Sequence, residues 1–131
     1  MTVGETEHAA PLEATGNPPG VGLVSVIVPH LDDYDNLDTC LRLLQAQSFP
    51  GDRTEIIVVD NGSSRGFEAV RRLVGSRGKV IEAAERGAGP ARNAGVRASR
   101  GDALAFIDSD CRPDKRWLEE GLSPHDAAFS Q

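Results

Sequence analysis

The sequence predicts an α/β domain with a mainly parallel sheet, and two observations carry this prediction. Four short apolar runs alternate along the chain with segments whose apolar residues recur at helical spacing. Such alternation favours parallel strands joined by right-handed crossovers, with helices on both faces of the sheet. The length of 131 residues fits one compact domain.

The first two strands and helices are predicted from their apolar residues. Residues 23–28 form an apolar, β-branched run that ends at Pro29, and residues 55–59 form a second such run. Between them, residues 34–47 are predicted to be helical, and residues 66–75 repeat the pattern after the second strand. The apolar face of the first helix consists of Leu37, Cys40, Leu41 and Leu44.

The second half of the chain continues the alternation. Residues 79–82 and 103–107 are predicted as the third and fourth strands, and a last helical piece follows Pro113. Residues 90–99 form a helix whose first turn holds Pro90, where no backbone donor is needed. Its inward face is small, which lets the helix approach a sheet closely: Ala91, Ala94, Gly95 and Ala98.

Composition divides the chain and excludes several classes of protein. Residues 1–22 hold three prolines and three glutamates but no lysine or arginine, so we interpret them as a flexible leader. The ordered domain is predicted to span residues 23–122, followed by a tail over residues 123–131. No apolar run approaches the ~18 residues of a membrane-spanning helix. A net charge of −6 argues against nucleic acid as a partner.

Polar residues follow three of the predicted strands. The first strand ends at Pro29-His30, the second runs into Asp-Asn-Gly-Ser-Ser at 60–64, and the fourth runs into Asp-Ser-Asp at 108–110. In open parallel sheets, ligands bind beyond the carboxyl ends of the strands. If these three strands are neighbours, their endings share one edge of the sheet and form a site.

The tripeptide Asp108-Ser109-Asp110 is the sharpest candidate. Two carboxylates so close together repel each other unless a cation lies between them, and hard divalent ions take oxygen ligands together with phosphate partners. The pattern therefore suits a metal–diphosphate site, although an acidic turn with a helix cap would look alike. Asp60 has two interpretations as well: contact with a ribose hydroxyl or base edge, or a cap of the turn that follows it.

The middle of the chain is basic. Residues 61–100 carry nine Arg or Lys and three acidic residues. Arg86 and Arg92 lie nearest the glycine-rich turn and are candidates for phosphate contacts, since the guanidinium group suits phosphate. Residues 87–92 begin like a dinucleotide-binding motif, but Arg92 stands at the third glycine position, which argues against that function.

The histidine and cysteine residues receive ordinary interpretations. His30 is interpreted as a surface or packing residue, and Cys111 as a small side chain rather than a nucleophile. Cys40 and Cys111 lie outside any CxxC pattern, which favours a reducing, cytoplasmic setting.

Four segments in this order resemble the nucleotide-sugar-binding half of a family-two inverting glycosyltransferase of the GT-A fold, over about residues 23–122. They are Val-Ser-Val-Ile-Val-Pro at 24–29, Glu-Ile-Ile-Val-Val-Asp-Asn-Gly-Ser-Ser at 55–64, Ala-Arg-Asn-Ala-Gly at 91–95 and Phe-Ile-Asp-Ser-Asp at 106–110. The resemblance implies a nucleotide-diphospho-sugar donor, with a UDP-sugar favoured, and a divalent metal ion, Mn²⁺ or Mg²⁺.

The resemblance also implies roles for single residues. Pro29 would lie against the nucleoside, and Asp60 would contact the uracil or ribose. Asp108 would face the ribose or the metal shell, and Asp110 would be the direct metal ligand. Two further residues match a helix-start motif near the donor: Arg92 and Asn93.

In the reaction that the resemblance implies, an acceptor hydroxyl loses its proton to a carboxylate base and attacks the anomeric carbon with inversion. The acceptor-binding half and the base should follow Asp110, but only 21 residues do. Glu119 and Glu120 lie too close to Trp117, on a packing helix, to replace that base. The sequence thus predicts a donor-binding half-domain, shortened after the Asp-Ser-Asp motif.

Departures from the family pattern leave alternatives open. Leu31-Asp32 replaces a common Tyr-Asn, so a stacking aromatic is lost. The chain is either part of an enzyme or a non-catalytic nucleotide-binding or interaction module. A sugar-nucleotide nucleotidyltransferase is a third interpretation, but residues 29–32 lack its glycine- and arginine-rich loop. An acceptor at a membrane surface is left open. An uncovered sheet edge predicts homodimerisation or poor solubility.

Overall fold

A computed structural model describes residues 22–122 and 128–130. Its strands are β1 (Val24–His30), β2 (Thr54–Asp60), β3 (Lys79–Glu82), β4 (Ala103–Phe106) and β5 (Ala128–Ser130). Its helices are α1 (Tyr34–Gln45), α2 (Phe67–Val74), α3 (Ala88–Ala98) and α4 (Trp117–Gly121), with short 3-10 turns at Gly51–Arg53 and Gly75–Arg77. The predicted α/β alternation is confirmed.

The strands form one parallel sheet in the order β3-β2-β1-β4-β5. The chain moves outward from β1 to β3, then returns to β4 on the other side of β1. Because crossovers are right-handed, this reversal moves α3 to the opposite face from α1 and α2. The reversal leaves a crevice at the carboxyl ends of β1 and β4. Because β1 pairs with both β2 and β4, the three site-bearing strands are neighbours, which is the condition that the sequence left open.

Each face of the sheet buries its own apolar cluster. Alternate residues of β1 point to opposite faces, so Val26 packs with α1 and α2, whereas Ile27 packs with α3. The larger cluster includes the predicted apolar face of α1 and two residues of α2: Leu37, Cys40, Leu41, Leu44, Val70 and Val74. These contacts hold α1 and α3 firmly on either side of the crevice.

Helix α3 lies close against the sheet because its inward face is small, as predicted. A Cβ atom added to Gly95 would lie 2.4 Å from Ile27 Cγ2 and 3.3 Å from Val59 Cγ2. Ala91 and Ala94 complete the buried face. The helix begins at Ala88, two residues earlier than the sequence predicts, after Gly87 with a φ of 116°.

The structure adds one strand to the predicted set. Residues 1–21, which hold nearly all of the predicted leader, lie outside the described residues. Within the segment interpreted as a tail, β5 pairs with β4 and takes the edge that the sequence left bare. Homodimerisation through a sheet edge stays a prediction. Among the described helices, none is long and apolar enough to cross a membrane.

Candidate functional site

A cleft of about 310 Å³ opens where the carboxyl ends of β1, β2 and β4 meet. One wall comes from the segment between β1 and α1, and the other comes from the first turns of α3. Its lining residues are Pro29, His30, Leu31, Asp33, Asn61, Ala88, Ala91, Asp108, Ser109 and Asp110. The cleft therefore unites the three strand endings that the sequence singled out.

The turn after β4 presents two exposed carboxylates to the cleft. Ligand atoms of Asp108, Asp110 and Cys111 all lie within 4.8 Å of one another. The carboxylate oxygens are hard donors that suit Mg²⁺ or Mn²⁺, whereas the Cys111 sulfur is a soft donor. On the chemistry of these donors, the two aspartates fit the divalent ion that the sequence predicts.

Hydrogen bonds to the backbone fix the start of this turn. The Ile107 N–H donates to Ile27 O of β1 at 3.1 Å, and the Cys111 N–H donates to Asp108 O at 3.0 Å. The buried Cys40 thiol lies 3.9 Å from the same Asp108 carbonyl. Burial raises the pKa of the Cys40 thiol to about 12, so it stays protonated and able to donate.

Asp60 lies beneath the cleft and does not line it. Its side chain is 1 % exposed, and its Oδ1 accepts the Ser63 N–H at 3.3 Å. The same oxygen lies 3.8 Å from His30 Nδ1. This geometry matches the turn-capping interpretation of Asp60.

His30 is buried and hydrogen-bonded on both sides of its ring. Its Nε2 accepts the Asp33 N–H at 2.9 Å, so the ring proton belongs on Nδ1, which faces Ser63 Oγ at 3.4 Å and Asp60. Burial lowers the pKa of His30 below 6.5, although the carboxylates of Asp60, Asp33 and Asp32 oppose that shift. The ring packs edge-to-face on Tyr34, so the packing interpretation describes only part of its role.

Asn61 ties the loop before α3 to the end of β2, and sequence reasoning missed this role. Its Oδ1 accepts the Gly87 N–H at 2.8 Å, and its Nδ2 donates to Glu85 O at 2.9 Å. Its backbone N–H donates to His30 O at 2.9 Å. The only sequence signal was its place in a polar run after a strand.

Asp32 joins the loops that follow β1 and β2, and sequence reasoning missed this contact too. It is the one non-glycine residue with a positive φ, 49°, in the described chain. Its Oδ1 accepts the Ser64 N–H at 2.8 Å and the Ser64 hydroxyl at 3.0 Å. Its own N–H donates to Ser63 Oγ at 3.0 Å.

The three candidate residues before and within α3 lie outside the lining of the cleft. Arg92 and Asn93 are exposed on α3. Arg86 is exposed too, and its guanidinium lies against Gly62, where an added Cβ would be 2.8 Å from Arg86 Nε. Gly62 has a φ of 95°, so a larger residue would be strained and would displace Arg86.

A second, larger cleft lies away from these strand ends. It encloses about 510 Å³ between α2 and the start of β3. Its charged lining is mainly basic and comprises Glu68, Arg71, Arg72 and Lys79. Lys79 is the first residue of β3, so this cleft opens at the opposite end of the strand from the carboxyl edge.

In a comparison with known proteins, residues 25–129 match the model of the family described as "Glycosyl transferase family 2". The chain is 38 % identical over 104 residues to glycosyltransferase AglE of Haloferax volcanii, a match covering 76 % of this chain and 34 % of AglE. It is 33 % identical over 120 residues to succinoglycan biosynthesis protein ExoO of Rhizobium meliloti, covering 88 % and 34 %. The chain thus spans about a third of the length of these curated relatives.

Solved structures show the same architecture. Staphylococcus aureus TarS 1–349 in complex with UDP-GlcNAc superposes with a TM-score of 0.66 at 27 % identity, covering 75 % of this chain and 29 % of TarS 1–349. A Pyrobaculum calidifontis mannosyltransferase, in complex with GDP-Man and Mn²⁺, gives a TM-score of 0.64 at 29 % identity. That match covers 76 % of this chain and 31 % of the mannosyltransferase.

Proposed function

Because this chain belongs to glycosyl transferase family 2 and has the GT-A fold, we propose that its cleft binds a nucleotide-diphospho-sugar donor. The observation that carries the proposal is the convergence of Pro29, Asn61 and the 108–110 turn at the carboxyl ends of three adjacent strands. The nucleotide sugars held by TarS and the mannosyltransferase support this class of ligand.

Asp108 and Asp110 are the residues that would hold a divalent cation, Mn²⁺ or Mg²⁺. Both carboxylates are exposed at the cleft, and their oxygens lie within 4.8 Å of each other. When bound, such an ion supplies positive charge that offsets the charge developing on the leaving diphosphate. The nearby thiol of Cys111 is not required by this role.

The nucleoside is proposed to lie along the β1 side of the cleft. Pro29 and the 47 % exposed Leu31 offer it an apolar wall there. Asp60 is too deeply buried to reach a base or ribose unless the 61–64 loop opens, so we assign it the role of holding Ser63. Three exposed residues remain candidates for the phosphates and the sugar: Arg86, Arg92 and Asn93.

The proposed reaction is direct transfer of the sugar to an acceptor hydroxyl, with inversion. The carboxylates that line the cleft within residues 22–122 are those of Asp33, Asp108 and Asp110. The last two are assigned to the metal, and both oxygens of Asp33 accept hydrogen bonds from Asn36 Nδ2. Each carboxylate that lines the cleft within these residues therefore already has another role. We propose that the catalytic base lies elsewhere.

The same cleft supports a second candidate function, nucleotide binding without sugar transfer, because every role assigned to its lining concerns the donor. Both candidates require the donor site, and they differ in turnover. An acceptor at a membrane surface belongs to the first candidate alone, since only transfer needs an acceptor. Hydrolysis or transfer of a bound nucleotide sugar would identify an enzyme, whereas binding without turnover would identify a binding module.

Calorimetric titration tests the donor site. We expect UDP or GDP to bind in the presence of Mn²⁺ and to lose at least about tenfold in affinity with EDTA, because the metal neutralises charge between carboxylates and diphosphate. Asp110→Ala should cause the same loss. The matched control is Asp52→Ala, which removes an exposed carboxylate from the 3-10 turn before β2 and should change nothing. Absence of nucleotide binding under every condition would contradict the proposal.

A further inference from the structure

We propose that Asn36 and Arg112 are positioning residues, which hold the metal-binding turn against α1. The inference rests on the proposed function of that turn. Arg112 Nη2 donates to Asn36 Oδ1 at 2.8 Å, although 76 positions separate the two residues. Asn36 Nδ2 in turn donates to both carboxylate oxygens of Asp33, at 2.9 and 3.2 Å. The side chains of Asp33, Asn36 and Arg112 thus form a hydrogen-bonded bridge of carboxylate, amide and guanidinium.

The opposite charges at the two ends of this bridge fix the orientation of the Asn36 amide. Its NH₂ group must face the Asp33 carboxylate, and its oxygen must face the Arg112 guanidinium. The reversed amide would place oxygen against carboxylate and N–H groups against guanidinium. Hydrogen bonds to charged groups are roughly twice as strong as those between neutral groups, so Asn36 is a specific connector between opposite charges.

The bridge matters because of where its ends lie. Asp33 lines the cleft, and Arg112 follows Asp110 by two residues. Within residues 109–112, the side-chain hydrogen bond from Arg112 to Asn36 is the one that reaches another element. The next anchor lies further along the chain, where Gln47 Nε2 donates to Asp114 O at 2.7 Å. Helix α1 is anchored by its buried face, so it is a rigid support for the outer half of the turn. The bridge would thereby limit the separation of the Asp108 and Asp110 carboxylates.

A purely electrostatic role for Arg112 predicts the opposite behaviour. A guanidinium close to a cation site repels the cation, so its removal should strengthen Mn²⁺ binding. If Arg112 positions the turn, its removal should weaken Mn²⁺ binding in spite of the lost repulsion. The sign of the change in affinity therefore separates the two roles.

The test measures Mn²⁺ affinity by calorimetry in the presence of UDP, with thermal unfolding as a check on folding. Arg112→Ala and Asn36→Ala should each weaken Mn²⁺ binding about fivefold. The double variant should bind Mn²⁺ as tightly as either single variant, because both substitutions remove the same hydrogen bond between Asn36 and Arg112. Arg42→Ala is the matched control: it removes a positive charge from α1 at a site where Arg42 pairs with Asp38. It should leave the affinity unchanged.

Several outcomes would overturn the inference. Unchanged or tighter Mn²⁺ binding in Arg112→Ala would contradict positioning, and so would single effects that simply add in the double variant. If wild-type binding is abolished by Asp110→Ala yet unaffected by Arg112→Ala, the inference alone fails. If the wild-type chain binds neither Mn²⁺ nor nucleotide, the proposed function and the inference fail together.

Discussion

At the scale of single residues, the loops around the cleft are held by short polar side chains. Asn61 binds the loop before α3, Asp32 binds the loop after β2, and Asn36 faces Arg112 after β4. Sequence patterns place these residues in turns but do not identify their partners, which lie 24 to 76 positions away. The Asp-Ser-Asp motif was recognisable because both of its carboxylates sit in one local segment.

His30 gives the protein a predicted dependence of stability on pH. Burial holds its pKa in the folded state below the value of 6.5 in the unfolded chain. The neutral ring therefore stabilises the fold fully above pH 6.5, and this stabilisation is lost as the pH falls toward the lower folded pKa. Protonation of Nε2 would also remove the acceptor for the Asp33 N–H.

Urea unfolding at about pH 7.5, 6.5 and 5.5 checks this prediction. The free energy of unfolding of the wild-type chain should fall relative to that of His30→Gln as the pH decreases, because glutamine cannot take up the proton. Ser99→Ala, a change at an exposed hydrogen bond at the end of α3, should follow the wild-type profile. A constant difference between wild type and His30→Gln across the range would contradict the account of His30.

At the scale of elements, the sequence predicted the small inward face of α3 because helical periodicity is a local property. The start of the helix was less well predicted, since it depends on the backbone conformation of Gly87. Strand β5 was missed because three residues cannot show the alternation that indicates a strand.

Two glycines of α3 make a matched pair for testing how closely the helix packs. Gly95→Ala places a Cβ 2.4 Å from Ile27 Cγ2, so it should lower the free energy of unfolding by about 1–3 kcal/mol. Gly89→Ala meets no atom within 4 Å and should be neutral or stabilising by up to about 1 kcal/mol. Chemical denaturation of the two variants measures the difference, and equal effects would contradict the packing described for α3.

At the scale of the whole molecule, the sequence predicted the α/β class, and the structure supplied the strand order. Alternating strands and helices are visible in local patterns, but the return of the chain to the far side of β1 is not. That return produces the crevice and brings residues 29–33, 60–64 and 107–112 together. A predicted motif becomes a candidate site only through this long-range arrangement.

The two clefts of the molecule differ in the sign of the charges that line them. The cleft at the strand ends carries exposed carboxylates, whereas the larger cleft carries Arg71, Arg72 and Lys79. A nucleoside diphosphate is an anion, so without metal the basic cleft is the electrostatic competitor for it. The proposed function requires that a divalent cation reverse this preference in favour of the carboxylates.

Nuclear magnetic resonance of the ¹⁵N-labelled chain tests that requirement directly. UDP with Mg²⁺ should shift backbone amides in residues 29–33, 60–63, 86–91 and 107–112, and a trace of Mn²⁺ should broaden the amides of residues 108–111 first. Asp110→Ala should abolish the broadening. Shifts centred on Arg71, Arg72 and Lys79, or Mn²⁺ broadening remote from residues 108–111, would contradict the assignment of the donor site to the strand ends.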